Sequence, residues 1–289
     1  MIELLTSPWR SALRDLLVSA HSDLLIASPF IKASEAEWVC QVIEEHGSSG
    51  ICLQILTDVR SESVLGGSLD LDALQAFTKS ILNAHVVNLP RLHAKVYVAD
   101  DKAAIVSSGN LTTAGLDSNY EYGVAVGDQR VVSQIRSHLE AYAAIGNRLA
   151  PEVLAGLAVV GRQLADEYQE LQRSTRVSLR RRFTRSLRDA NLEFLKAQVG
   201  NRSANSLFSE AIIYVLSRGP LITRELHPRI QRLLPDLCDD TVELVINGEH
   251  FGKRWKHGVR NAQQSLKRSE IIRFDGRRWS LVRGVGERR

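Results

Sequence analysis

Cysteine is scarce. There are three in 289 residues, Cys40, Cys52 and Cys238, and none in a paired spacing. That excludes a disulfide framework or a four-ligand zinc module and fits reduced, mostly buried thiols in a cytoplasmic protein. No apolar run approaches the roughly 20 residues that a membrane-spanning helix needs, so no membrane partner is expected. The opening residues, MIELLTSPWR, lack a basic start followed by an apolar stretch, and so do not read as a signal peptide. Acidic residues are missing from residues 173–188, a stretch that holds Arg173, Arg176, Arg180, Arg181, Arg182, Arg185 and Arg188. Histidine followed two positions later by lysine occurs once, at His93 and Lys95.

Apolar residues make up 44% of the chain, ordinary for a globular protein, and the length accommodates two domains. The net charge of +4 hides a split. Residues 1–171 hold 12 Lys/Arg against 21 Asp/Glu, a balance of −9, and residues 172–289 hold 25 against 12, a balance of +13. A half this basic is what a polyanion-binding module needs, because phosphate neutralisation dominates nucleic-acid affinity. The plainer alternative is a solvated arginine-rich surface.

The run LHAKVYVADDKAAIVSSGNLT, residues 92–112, carries the most chemistry. Its apolar, β-branched stretches read as two short strands joined at Asp100-Asp101-Lys102, with a Ser/Asn turn beyond the second. Residues two apart on a strand share a face about 6.6 Å apart, so His93 and Lys95 aim at one point. An isolated His-x-Lys would read better as a strand-end histidine beside a solvated cation. Here Ser107, Ser108 and Asn110 follow at the far end of the hairpin. A nucleophile, a cation and neutral hydrogen-bond donors can converge there on a phosphoryl group.

The spacing of His93, Lys95, Asp100, Ser107, Ser108 and Asn110, continued by Leu111-Thr112 and by Glu121, resembles the signature of the phospholipase D superfamily. One position departs from it: the family usually has glycine where this chain has Ser107. The resemblance implies an α/β domain with a mixed sheet in a sandwich, and chemistry that needs no metal or other cofactor. In it, a histidine attacks phosphorus and a second histidine protonates the leaving oxygen. Lys95, Ser108 and Asn110 would hold the non-bridging oxygens, and Glu121 would fix a histidine tautomer. Asp100 reads by context as a turn residue that stabilises the hairpin. With one signature per chain, the second histidine is expected from a second copy, in a homodimer with a composite active site. Asp100-Asp101-Lys102 also mimics half of a metal-dependent PD-(D/E)xK nuclease pattern, but no suitably placed acid precedes it.

Strands and helices alternate through residue 145: strands at 24–27, 51–56, 85–89 and 121–126, and helices at 34–46, 70–82 and 129–144, with Ser34 expected to cap and Glu37 to complete a capping box. The domain expectation is a catalytic domain over 1–147, a basic helical linker over 148–203 and a DNA-binding domain over 204–289. In the last, helices are expected at 206–216, from Thr223 to about 233, after Asp239 or Asp240, and at 253–267. A hairpin then turns at Asp275-Gly276, which suits a type I′ turn. Helices followed by such a hairpin make a winged helix, and WKHGVRNAQQSLKRSEIIRFDGRRWSLV resembles the winged-helix domain of Mrr-type restriction proteins.

Lys253, Arg254, Lys256 and Arg260 would form its DNA face, with Trp255, Val259 and Leu266 on the core side. Asn261, Gln263 and Gln264 are amides able to pair with adenine edges, and Arg277 and Arg278 sit on the wing. Together these readings point to a metal-independent endonuclease acting on double-stranded DNA in restriction or another defence. A lipid-acting phosphodiesterase and a non-catalytic DNA-binding regulator are the alternatives.

Overall fold

The computed structural model describes residues 2–46, 50–172, 177–200, 202–246 and 249–282. Packing divides the chain into two compact units, 1–200 and 201–289. The first contains β1 (Ile2–Thr6), α1 (Arg10–Ser19), β2 (Asp23–Ala27), α2 (Ala33–Glu45), β3 (Cys52–Thr57), α3 (Ser61–Leu65), α4 (Leu71–Ser80), β4 (Asn83–Asn88), β5 (Val96–Ala99) and β6 (Ala103–Ser107). A π-helical turn (Ala114–Ser118), β7 (Tyr122–Val126), α5 (Gln129–Ile145), β8 (Asn147–Leu149), α6 (Pro151–Gln172) and α7 (Val177–Val199) follow.

The strands form one eight-stranded sheet in the order β1-β7-β6-β5-β2-β3-β4-β8. β2, β3 and β4 run parallel, while β5 and β6 form the expected antiparallel hairpin. β2 and β5 are buried almost throughout, so their uninterrupted apolar runs suit the centre of a sheet covered on both faces. Leu13, Leu17, Val39, Phe77 and Tyr97 share the core on the side of α1, α2 and α4. On the other side Val132 and Leu139 of α5 pack against Leu25, Val98 and Ala104.

Edge strand β1, which pairs with β7, helices α1 and α3, and the short strand β8 escape the sequence reading. Helix α2 starts one residue early, so Ser34 lies inside its first turn and its hydroxyl donates to Glu35. The N-terminal role passes to Asp70, whose carboxylate accepts the Ala33 N–H (3.0 Å) and pairs with Lys32 (2.7 Å).

The helices expected as a linker pack back onto the first unit. α6 lies against α3 and α4, and α7 lies against α6. Phe194 and Ala197 of α7 are buried in the core shared with α1, α2 and α4. The charge break at residue 171 is therefore not the structural boundary: residues 1–200 carry 20 Lys/Arg against 23 Asp/Glu, and residues 201–289 carry 17 against 10, balances of −3 and +7. Of the basic stretch 173–188, Arg173 and Arg176 lie outside the described residues, as do the side chains of Arg180 and Arg181. Arg182 pairs with Glu170 on α6, and Arg185 and Arg188 are exposed.

Asp100 is a buried carboxylate in a left-handed residue (φ 49°). It accepts from the backbone N–H groups of His21, Ser22 and Asp23 at 3.0 Å each and from the Ser22 hydroxyl at 2.7 Å. Burial favours its neutral form, but these donors prevail and hold the carboxyl well below the usual range. It thus ties the β5–β6 hairpin to the start of β2, a wider role than turn formation. Asp100→Ala is expected to cost about 3 kcal/mol, since it strands several donors of a charge-assisted cluster. Because the folded carboxyl is depressed, its stabilisation is complete above the unfolded value and is lost as pH falls through the folded one. Denaturant titrations of wild type and Asp100→Ala at neutral and acid pH check this; a difference between them that does not shrink toward acid would refute it.

The second unit contains α8 (Ala204–Leu216), α9 (Thr223–Leu233), β9 (Glu243–Ile246), β10 (Glu249–Lys253), α10 (Arg254–Arg268), β11 (Ile272–Phe274) and β12 (Trp279–Leu281). Leu207, Ala211, Ile212, Leu226, Ile230, Trp255, Val259 and Leu266 are buried in it. The helix expected after Asp239 or Asp240 is instead the β9–β10 hairpin. Asp239 accepts from the Thr241 N–H and hydroxyl (2.7 Å each), a local turn, and a β-branched run follows. In the β11–β12 hairpin only Gly276 has positive φ (94°), and Asp275 N–H bonds the Arg278 carbonyl (3.2 Å). The turn therefore centres on Gly276-Arg277 and is not type I′, which needs positive φ at both central residues.

Candidate active site

Sheet register gathers one set of strand ends. Ala27 pairs with Val96, Val96 with Val106, Ser107 with Gly123 and Thr6 with Tyr122. The start of β5, the end of β6, the start of β7 and the ends of β1 and β2 therefore share one edge. His93, Lys95, Ser108, Asn110 and Glu121 all lie in the segments that leave this edge. His93 and Lys95 precede β5 rather than lying within it, though the Lys95 carbonyl still accepts the Ser107 N–H (3.0 Å) and extends the ladder.

His93 is exposed and Lys95 is 7% exposed. Lys95 Nζ donates to the His93 carbonyl at 3.0 Å and stands 3.3 Å from Nδ1 and 3.2 Å from Nε2 of the His93 ring. Equal distance to both nitrogens is not an in-plane hydrogen bond to either, so the ammonium lies against the ring without blocking its lone pair. Burial pushes the Lys95 ammonium toward its neutral form, and Glu121 counters it.

Ser108 and Glu121 form a second cluster. The Ser108 hydroxyl donates to Glu121 and accepts the Tyr122 N–H (3.0 Å). Glu121 also accepts from Asn119 Nδ2 (3.1 Å), and its own N–H donates to the Ser7 hydroxyl (3.0 Å). Both Glu121 oxygens thus serve Ser108 and Asn119, and the expected bond from Glu121 to a histidine of the same chain is not made. Asn110 turns Oδ1 inward, buried and without a partner. Its backbone is held from beneath: a Cβ on Gly115 would meet the Asn110 carbonyl at 2.4 Å, so only glycine fits there. Ser107 needs no positive φ. It lies on β6 and its hydroxyl accepts the Gly109 N–H (3.0 Å), so the departure from glycine leaves the turn intact.

Several supports carry no motif. Ser28, fully buried, accepts the Leu111 N–H (3.0 Å). Trp9 Nε1 donates to the Gly115 carbonyl (2.7 Å), and Tyr97 donates to Gly109 (3.3 Å). Each is a buried polar group satisfied across long sequence separation, which spacing does not reveal.

Residues 13–143 match the family model described as cardiolipin synthase, PLD-like domain. They form a PLD-like domain. No curated protein matches the chain. Among solved structures, Nuc, a phospholipase D family member from Salmonella typhimurium, is 17% identical over 51% of this chain and 97% of its own, with a TM-score of 0.44. NucT from Helicobacter pylori is 22% identical over 48% and 93%, with a TM-score of 0.38. TrmBL2, an archaeal chromatin protein described as binding DNA, is 19% identical over 50% and 53%, with a TM-score of 0.36.

Outside the PLD-like domain, the basic residues of the second unit divide. Arg254, Arg260, Asn261, Gln264, Arg277 and Arg278 are exposed and Lys256 is half-buried, its ammonium 5.5 Å from the Trp255 ring. Lys253 ends β10 and pairs with Glu243 (3.3 Å). Gln263 does not fit the expected set. It is 2% exposed, on the core side of α10 beside Ala262 and Leu266, with Nε2 lacking a partner. It follows Val259 by four residues and precedes Leu266 by three, and this helical phase turns it inward.

Proposed function

We propose that the chain is a homodimeric endodeoxyribonuclease that cleaves double-stranded DNA without a metal, through a phosphohistidine. The observation that carries this reading is the convergence of His93, Lys95, Ser108, Asn110 and Glu121 on one sheet edge, with the buried Lys95 ammonium against the His93 ring. A His93 nitrogen attacks phosphorus, and the P–O bond breaks as a second histidine protonates the leaving oxygen. That histidine then takes a proton from water, whose oxygen displaces His93. Lys95 and Asn110 face the charge that builds on the non-bridging oxygens. Ser108 joins them once its proton leaves Glu121.

The second histidine is the other copy's His93. Tyr120 and Tyr122, both exposed, flank Glu121 beside the site, and exposed Ile2 and Leu4 continue the apolar strip along the sheet. A second copy there covers that strip and brings two signatures together. The second unit, three helices with the β11–β12 hairpin, serves as a winged helix that docks on DNA, and its +7 balance supports that role. The same charge favours nucleic acid over lipid, and no helix among the described residues is long and apolar enough to cross a membrane. The resemblance to Mrr-type restriction proteins supports a role in restriction or another defence.

Plasmid DNA and phospholipid vesicles offered with EDTA are the test. DNA nicking that survives chelation is expected; a strict Mg²⁺ requirement, or turnover of phospholipid alone, would sink the reading. The composite site has its own check. His93→Ala chains mixed with Lys95→Ala chains should not recover full activity, because every dimer holds a damaged centre. Sedimentation showing a fully active monomer would refute the dimer.

A further inference from the structure

One cation pair at the catalytic edge takes no part in the chemistry above. β3 and β4 end in register, Thr57 opposite Asn88, on the same edge as the start of β5. The next residues are Asp58 and Arg60 after β3, and Arg91 after β4. β3 lies two strands from β5, so this place is about 10 Å along the edge from His93 and Lys95. Arg91 precedes His93 by two residues, at most about 7 Å of chain.

Asp58 is 2% exposed, and both its oxygens are engaged by Arg60: Nε at 2.9 Å and Nη2 at 2.6 Å. The Arg91 backbone N–H also favours the charged form of this carboxyl. The fork holds the Arg60 guanidinium in one orientation, yet the side chain stays 43% exposed and Nη1 is uncommitted. Arg91 adopts a left-handed conformation (φ 64°), uncommon for a residue with a side chain. It is exposed, and among the described residues its guanidinium has no hydrogen bond or ion pair. A structural pin explains Asp58 and one face of Arg60. It does not explain a second arginine, backbone-strained and unpartnered, beside the first in a unit of net negative charge.

We propose that Arg60 and Arg91 form a clamp for a phosphate of the same nucleic-acid strand next to the one being cleaved, with Asp58 as the positioning residue that orients Arg60. The proposal rests on the nuclease reading and adds a subsite to it. It makes the PLD-like domain prefer a strand with flanking phosphates over an isolated diester.

The test uses the full chain and two substrates, bis(p-nitrophenyl) phosphate, which has no flanking phosphate, and a short single-stranded oligodeoxynucleotide. Arg91→Ala should lower kcat/KM on the oligonucleotide about tenfold, the scale of one charge-assisted hydrogen bond, and leave the small diester within about twofold. Arg60→Ala alone strands a buried carboxylate, so it is made together with Asp58→Asn and is expected to show the same selectivity. Equal losses on both substrates, or no loss on the oligonucleotide, overturn the clamp. A selective loss on phospholipid vesicles instead also overturns it and assigns the cations to a headgroup. If the wild type hydrolyses neither phosphodiester, the nuclease reading falls, and the clamp is judged by tetranucleotide binding. Arg91→Ala should then weaken binding about tenfold while Arg130→Ala, an exposed arginine of the same unit beyond the opposite end of β7, does not, and unchanged binding rejects the clamp.

Discussion

Replacing His93 with alanine is expected to cut phosphodiester hydrolysis by more than about a hundredfold, since it removes the attacking nitrogen and, in a composite site, the acid as well. The fold should not notice. His93 is exposed and its ring touches Lys95, so stability should stay within about 0.5 kcal/mol of wild type. DNA affinity should also hold if the second unit, as proposed, supplies the docking surface. Single-turnover rates on plasmid DNA, beside melting curves and binding isotherms, separate the three quantities. Retention of more than a hundredth of wild-type turnover would remove His93 from the role of nucleophile.

Lys95 gives the same experiment a pH signature. In the proposed mechanism its ammonium is the form that faces phosphate oxygens, and burial favours the neutral amine. The charged form is therefore lost at a lower pH than for an ordinary lysine, and the alkaline limb of the rate profile should lie below the usual lysine range. Lys95→Arg, whose guanidinium does not deprotonate, should lose rate through geometry yet lose that limb too.

The hairpin, its Ser/Asn end and the alternating strands were legible because each is local. An apolar run bounded by turn residues says strand whatever packs on it, and fixed spacing then brings His93, Lys95 and Asn110 to one edge. What failed was set by partners distant in sequence. Ile2–Thr6 becomes a strand because β7 offers an edge, and Asp70 replaces the expected Ser34 cap from 37 residues beyond Ala33. Asp58, Arg60 and Arg91 carry no motif, and only the register of β3 with β4 brings them together. In the second unit polarity misled. Gln263 reads as a base-reading amide among exposed neighbours, but its place in the helical turn buries it. Asp239 reads as a helix cap, but it closes a local turn on Thr241, and the strand-forming run that follows takes over.

Removing the second unit should weaken DNA binding by at least about a hundredfold and flatten its salt dependence, by about 0.9 in log–log slope for each phosphate that is no longer neutralised. The structure fixes where to cut. Ending the chain at residue 170 would strip α7 from the first unit and uncover the core that Phe194 and Ala197 complete, so weaker binding would be confounded with loss of fold. Ending at Gly200 leaves the packed unit whole, together with exposed Arg185 and Arg188, which account for the residual slope that should remain. Within the full chain, Arg254→Ala and Arg260→Ala should weaken binding to all sequences alike if they touch phosphate. Asn261→Ala and Gln264→Ala, exposed amides on the same helix, should change sequence preference if they reach base edges. Gln263→Ala should do neither, and should act on stability instead, since its amide lies in the core. A chain of residues 1–200 that binds duplex DNA with the affinity and salt slope of the full protein would move the DNA-binding surface onto the PLD-like domain and α7.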